Sequence, residues 1–424
     1  MSTTEQALHL PSAADELPTA PAYSWRAAIA KRVLRRILYG VPVTARLATG
    51  EVYGVPDAHG PMTPYPVGPT LQIDDVEAFF ARVAKSPNIG IGESYMAGEW
   101  HAAEGTDLAD VLAPFAARVT ELVKPFFYKM RHLVLPRDLN PNNSKAGARR
   151  NIAAHYDVSN DMFGCFLDPT WSYSCALFDR LHPVPAFEDL KAAQIRKTEA
   201  ILDAAGVVEG TRVLEIGTGW GTLAIRAAER GAHVCTVTIS TEQAALARAR
   251  VQGAGVADRV DIALRDYRDV EGEFDAIVSV EMIEAVGEQY WSTYFTAIDR
   301  LLAPGGRVAI QAILLEHDRM LATRNTYTWI HKYIFPGGTL PSLQAIDETL
   351  AARTSLRRLT TTAMGQHYAH TLRLWRQRFC ANWPQVRALG FDERFRRMWE
   401  FYLAYCEAGF RVGYLDVAQI SLGR

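Results

Sequence analysis

The sequence has no C-x-x-C pair; its five cysteines stand apart at 165, 175, 235, 380 and 406. That spacing argues against a zinc knuckle and a secreted disulfide framework, and it fits a reducing cytosol. No apolar run approaches the ~18 residues that a membrane span needs. Residues 1–20, MSTTEQALHLPSAADELPTA, lack the apolar stretch of a secretory signal. Any meeting with a membrane is therefore expected from the cytosolic face, without crossing. An excess of one charge is also missing, since 45 Lys and Arg oppose 47 Asp and Glu. This balance argues against a nucleic-acid coat protein and leaves room only for a local basic patch.

What is present is an ordinary globular composition. Hydrophobic residues make up 49% and charged residues 22%, which removes disordered, collagen-like and coiled-coil classes. The 424 residues allow two or three domains at ~150 residues each. Residues 1–22 read as a disordered leader, 23–145 as a smaller N-terminal α+β domain, and 146–424 as a larger unit. Within the first domain, Ser24 to Tyr39 read as a helix with Ser24 at its cap and Gly40 as its stop. Ile29, Ala30, Val33, Leu34, Ile37 and Leu38 give it an apolar stripe, and Lys31, Arg32, Arg35 and Arg36 a basic one. A helix lying on an anionic bilayer and a helix docked on its own domain share this pattern. Strand-like stretches (ARLATGEVYGV, PTLQI) and helical ones (DVEAFFARVAK) follow. Then comes a second aromatic and basic cluster at Phe126, Phe127, Tyr128, Lys129 and Arg131. The Pro/Asn-rich segment 136–150 marks the boundary.

Beyond residue 190 helices and short apolar strands alternate: RVLEIG, HVCTVTI, RVDIALR, FDAIVSV and RVAIQAI. Alternation of this kind implies an α/β fold with a mostly parallel, doubly wound sheet. An aromatic-rich, largely helical insert interrupts it at about 316–385. The strongest local motif runs from Val213 to Gly221, VLEIGTGWG, a strand entering a glycine turn that opens a helix. Glycines there let the backbone approach a ligand in front of a helix N-terminus. A glycine turn alone is weak, because a plain strand-to-helix turn has the same form. Its context is stronger: Glu215 before the turn, Thr238-Ile239-Ser240 and Gln243 after the second strand, Arg265-Asp266-Tyr267 after the third, and Glu281 after the fourth.

This order resembles the class I S-adenosylmethionine-dependent methyltransferases, a Rossmann-like fold. The resemblance implies that the glycine loop wraps the amino-acid half of the cofactor. The second strand's end then meets the ribose, and the third strand's end meets the adenine. The usual ribose-binding acid is replaced here by Thr238, with Gln243 as candidate substitute. An NAD-dependent enzyme is the weaker alternative, since that acid and the sixth-position glycine are both absent.

Further motifs narrow the family. They are His155-Tyr156-Asp157-Val158-Ser159-Asn160-Asp161, Tyr173-Ser174-Cys175-Ala176, Lys332 to Gly338 (KYIFPGG), Glu407 to Arg411 (EAGFR) and Gly92 to Trp100 (GESYMAGEW). Together they resemble the cyclopropane-fatty-acyl-phospholipid synthase family over roughly residues 80–424. Within it the chain is most similar to an actinobacterial branch that methylenates oleoyl chains on the way to tuberculostearic acid. The resemblance implies a cis-unsaturated acyl chain of a phospholipid as substrate, a lipid-binding N-terminal domain, and a peripheral place on the inner face of the plasma membrane. It implies S-adenosylmethionine held by Tyr173, Ser174, Gly217, Thr218, Gly219, Trp220, Gly221, Thr238, Ile239, Gln243, Asp266 and Tyr267. A flavin- or NADPH-dependent reductase acting on the product is a candidate partner, and a homodimer a candidate assembly. Nucleic acid and metal ions have no place in this reading.

An alkene is a poor nucleophile, so it must be held in line with the sulfonium methyl. The resulting carbocation needs a dry site, aromatic faces and a base. In cyclopropane synthases that base is thought to be bicarbonate, whose holders correspond to Cys175, Glu284, Gln311, Ile313 and Tyr368. Gln311 replaces a histidine of the well-known bacterial enzymes, Ala285 replaces the histidine beside the glutamate, and Glu281 stands where they have glycine. Glu281 or Glu284 is therefore expected to act as the base or to orient it, three residues apart on one helical turn. Cys406 is a weaker site candidate, read chiefly as packing. A non-catalytic lipid-binding protein and a methyltransferase for small soluble acceptors remain the alternative readings.

Overall fold

The computed structural model describes residues 17–38, 40–54, 68–122 and 159–424. The cluster at 126–131, the 136–150 boundary and His155 to Val158 lie outside the described residues. So do residues 1–16; the rest of the expected leader is seated, with Leu17 packed on the core and the Pro18 carbonyl accepting from Arg82 Nη1 at 2.5 Å.

Helix α1 (Trp25–Leu38) starts where the Ser24 carbonyl accepts the N–H groups of Ala27 and Ala28. A small sheet follows, β1 (Thr44–Leu47), β2 (Val52–Tyr53), β3 (Thr70–Ile73) and β4 (Trp100–Ala102), in the order β2-β1-β3-β4. Helices α2 (Val76–Lys85), α3 (Pro87–Met96) and α4 (Leu108–Leu122) accompany it. Asp75 caps α2 by accepting the Ala78 N–H at 3.0 Å.

The larger unit opens with α5 (Asn160–Gly164) and α6 (Phe187–Ala204). Then β5 (Arg212–Ile216), α7 (Thr222–Glu229), β6 (His233–Thr238), α8 (Thr241–Gly253), β7 (Val260–Leu264), β8 (Phe274–Val280), α9 (Trp291–Leu301) and β9 (Leu302–Leu314) alternate as expected. Strands β7-β6-β5-β8-β9 are parallel. They read as apolar runs because helices cover both faces. Along β5, Val213 joins one core and Leu214 the other; along β8, Ala276 and Val278 face one way and Ile277 the other.

The insert departs from the sequence reading. It holds α10 (His317–Thr323), α11 (Trp329–Tyr333) and α12 (Leu343–Arg353), then a strand, β10 (Arg357–Ala363), before α13 (Gly365–Ala381). After α14 (Trp383–Ala388) and α15 (Glu393–Arg411), a last strand β11 (Asp416–Gly423) slides between β9 and β10, antiparallel to both. The polar run RRLTTTA of β10 is tolerated because it is an edge strand, exposed along most of its length.

The small sheet's helices seat on the insert. A Cβ on Gly92 would run into the Trp329 indole. The Trp329 Nε1 donates to Met96 Sδ at 3.3 Å, and Glu93 accepts from Lys332 Nζ at 2.5 Å and Tyr333 Oη at 2.7 Å. Buried Arg376 of α13 joins Glu407 on α15 to Asp107 before α4. Gly92→Ala is expected to lower stability by about 1–3 kcal/mol through overpacking, read as a lower urea midpoint; an unchanged midpoint would contradict this close approach.

Candidate active site

The turn after β5 carries Gly217, Gly219 and Gly221 at φ of 100°, 50° and 88°, a region that L side chains avoid. A Cβ on Gly219 would meet nothing within 4 Å, so the turn is open there. A Cβ on Gly221 would press on the Ala247 side chain at 3.2 Å. Gly221 therefore permits α7 to pack on α8 and does not line the cavity.

That cavity lies beyond the C-terminal ends of β5, β6 and β8, where the strand order reverses. Tyr173, Ser174, Gly217, Thr218, Gly219 and Trp220 line it, with Thr238, Ile239, Gln243, Asp266 and Tyr267. Several are already tied within the protein. Thr238 Oγ1 donates to Gln243 Oε1 at 3.0 Å, which makes them one hydrogen-bonding unit. Asp266 accepts from Arg268 Nε and Nη2 at 2.8 and 2.7 Å, so its carboxylate is neutralised locally. Trp220 Nε1 donates to Asn160 Oδ1 at 2.8 Å, tying the glycine loop to α5. Tyr173 shares a 2.8 Å hydrogen bond with Tyr402 and packs against Phe163 and Trp375. Burial pushes the Tyr267 hydroxyl up to about 12.

The sequence reading left Lys197 out of this lining. Its signal was a lysine on the face of α6 that also buries Ala193, Gln194 and Ile201. Glu215, noticed only as an acid before the turn, is buried with Oε2 accepting from Thr236 Oγ1 at 2.6 Å. Burial pushes its carboxyl up to about 8.

Glu281 directly follows β8 and its φ is 48°. Its backbone N–H donates to the Gln311 carbonyl at 2.8 Å. Oε1 accepts from the Cys175 N–H at 2.8 Å and from Gln311 Nε2 at 2.7 Å, while Oε2 accepts from Tyr368 Oη at 2.6 Å. Burial raises this carboxyl, and Tyr368, the Cys175 N–H, Gln311 and Lys197 pull it back. Glu284 sits apart in a single turn at Ile283–Ala285. Its Oε1 accepts from the Ile313 N–H at 2.5 Å, and its buried Oε2 has no partner. Burial, then the neighbouring Glu281, pushes Glu284 up to about 8. The expectation that both glutamates share one helical turn is corrected: positive φ at Glu281 takes it out of any helix.

The bicarbonate expectation also meets a misfit. Cys175, Gln311 and Tyr368, three of its assigned holders, already donate to Glu281, and Ile313 donates to Glu284. The Cys175 thiol is buried and pushed upward by burial and by Glu281, which leaves no thiolate nucleophile. Cys406 lies on α15 and packs against the core, does not line the cavity, and is pushed by burial up to about 12. Its place as a site candidate is withdrawn.

A family model described as mycolic acid cyclopropane synthetase matches residues 143–420. The chain is 52% identical over 412 residues to tuberculostearic acid methyltransferase UfaA1 of Mycobacterium tuberculosis, covering 96% of this chain and 94% of that protein. The chain belongs to the mycolic acid cyclopropane synthetase family. It is also 36% identical over 351 residues to cyclopropane-fatty-acyl-phospholipid synthase of Escherichia coli, covering 82% of this chain and 86% of that one. Among solved structures, mycolic acid cyclopropane synthase CmaA1 complexed with SAH and CTAB superposes with a TM-score of 0.59 at 31% identity, over 65% of this chain and 98% of that one. The protein is thus an S-adenosylmethionine-dependent methyltransferase with the Rossmann-like class I fold. The open glycine turn, the Thr238–Gln243 unit and buried acids facing the cavity suit a cationic sulfonium nucleoside.

Glu284 leaves a mark on stability. Its folded value near 8 exceeds the ordinary 4.5, so the unfolded chain sheds this proton first as pH rises. Stability present below pH 4.5 is lost between there and 8, by up to about 1.4 kcal/mol per pH unit for one such group. Urea unfolding across this window is expected to slope less in Glu284→Gln than in the parent; equal slopes would contradict the assignment.

Proposed function

We propose that the protein places a one-carbon unit on the cis double bond of an oleoyl-type chain of a membrane phospholipid, giving a 10-methylene branch. The observation that carries this reading is the Glu281 carboxylate, held by three donors at the edge of the cofactor cavity. Bound S-adenosylmethionine supplies an electrophilic methyl group. The alkene π pair forms the new carbon–carbon bond as the methyl–sulfur bond breaks and its electron pair leaves on sulfur, and the other alkene carbon becomes a cation. A hydride shift moves the positive charge to the branched carbon. Glu281 then accepts a proton from the added methyl, and the freed C–H pair becomes the exocyclic double bond.

The chain's own residues make this possible. Tyr368 and Gln311 keep the carboxylate aimed. Tyr173 lines the cavity and offers an aromatic ring to a cation, backed by a chain of ring contacts through Trp375 and Tyr368 to Phe410 in the core behind it. Ring closure to a cyclopropane is the second reading, favoured by the E. coli relative; UfaA1, the relative with higher identity, favours the methylene route. A reductase supplying hydride from a flavin or nicotinamide would finish a methyl branch.

The proposed membrane contact is α1, beside the inner leaflet. Its stripe divides: Ala27 and Leu38 are buried, while Trp25, Ile29 and Val33 are 69%, 51% and 48% exposed at a spacing of four. Lys31 pairs with Glu51 at 2.7 Å, and Arg35 lies over the Tyr53 ring, so these two basic residues face the domain. Arg32 and Arg36 are exposed beside the apolar stripe. Among the described residues no helix is long and apolar enough to cross a membrane, and interfacial docking needs none.

Dioleoyl phospholipid vesicles with labelled cofactor provide the assay. Proton NMR of the released acid is expected to show vinylidene protons, and high-field ring protons would favour the cyclopropane reading. Glu281→Gln is expected to lose at least about 100-fold in turnover while still binding the cofactor by calorimetry; full turnover would remove the base assignment. Arg32→Glu combined with Arg36→Glu is expected to weaken sedimentation with anionic vesicles by about tenfold or more, and unchanged binding would place the contact elsewhere.

A further inference from the structure

Lys197 is 4% exposed and lies on α6, one turn after Gln194, at the wall of the cofactor cavity. Its Nζ donates at 2.8 Å to Ser174 Oγ, a neutral acceptor. Burying an ammonium without a countercharge is strongly unfavourable, so the surroundings must supply one. Burial holds its ammonium below the usual lysine range, and Glu281 after β8, the Cys175 thiol, Asp168 before the Tyr173 loop and Glu215 on β5 pull it back toward the charged form. Asp168 already accepts from the Thr170 N–H and hydroxyl, and Glu215 from Thr236. The backbone of Lys197 is tied to the same cluster. Gln419 Nε2 donates to the Lys197 carbonyl at 3.0 Å and to Gln311 Oε1 at 3.2 Å, and Gln311 in turn holds Glu281.

We propose that Lys197 is a positioning residue for the reaction, the buried cation that keeps the Glu281 carboxylate ionised and ready to take a proton. This rests on Glu281 being the base. The groups facing Glu281 are Tyr368 from α13, Gln311 from β9, the Cys175 backbone, Glu284 and Lys197. Lys197 is the cation among them, and Glu284 works against it. Removing the cation leaves the three donors alone against desolvation and Glu284, so the protonated, inactive form gains. The acid limb of turnover must then move to higher pH.

The test compares Lys197→Met, Glu281→Gln and the double variant with the parent. The acid limb of kcat against pH is expected to move up by about one unit or more in Lys197→Met. Turnover is read at saturating cofactor, with affinity followed by calorimetry, because Lys197 bonds to Ser174 on the cavity wall. A folded Lys197→Met with an unmoved limb overturns the proposal. If Lys197→Met does not fold, the double variant is read by thermal unfolding. Recovered folding supports a charge pair, since the neutral amide introduced by Glu281→Gln no longer needs the cation, and failure to recover overturns it. Full turnover of Glu281→Gln would instead strike the base assignment, an outcome separate from either reading of Lys197.

Discussion

A carboxylate drawn largely out of water must be met by donors from the protein, and Glu281, at the edge of the cavity, organises this end of the sheet around that requirement. Its partners come from the loop at Cys175, from β9 at Gln311 and from α13 at Tyr368. Those segments are distant in sequence, so the carboxylate fixes how the insert and the C-terminal strands close over the cavity. Gln311 suits this position at both ends: its amide N–H donates to Glu281 and its carbonyl accepts from Gln419. The backbone carries a cost as well. Glu281 has φ of 48°, where glycine is at ease and other residues are strained by about 1–3 kcal/mol. This chain accepts the strain to place a carboxylate among those donors.

The neighbouring acids behave differently because their partners differ. Glu215 and Glu284 each have a single hydrogen-bonded side-chain oxygen and are both pushed up to about 8. Burial thus favours the neutral form of both, whereas Glu281 has three donors to set against its own burial. Behind the cavity, Tyr173 is held by ring contacts that run through Trp375 and Tyr368 to Phe410, so the wall nearest Glu281 is rigid and apolar.

Much of this was legible in the sequence. Apolar strands alternating with helices announced a doubly wound sheet, and VLEIGTGWG marked the turn that opens the cavity. The remaining strands were hidden for physical reasons. β10 is polar because it is an edge, and β11 pairs antiparallel between two strands far away in sequence. Lys197 was missed because a lysine within a helical pattern reads as solvated, and only tertiary packing shows its burial. The relation between Glu281 and Glu284 was misread because a left-handed backbone angle at a glutamate has no local signature. Along α1 one apolar stripe was legible, but its division between the domain core and solvent depends on what β2 and the Glu51 turn place beneath it.

The central claim is that Glu281 occupies the donors that the bacterial cyclopropane synthases are thought to offer to bicarbonate. Turnover on phospholipid vesicles, measured in carbon-dioxide-depleted buffer while bicarbonate is titrated back, tests it directly. The account predicts the same rate at every bicarbonate concentration. A rate that is low in depleted buffer and climbs with added bicarbonate would contradict it.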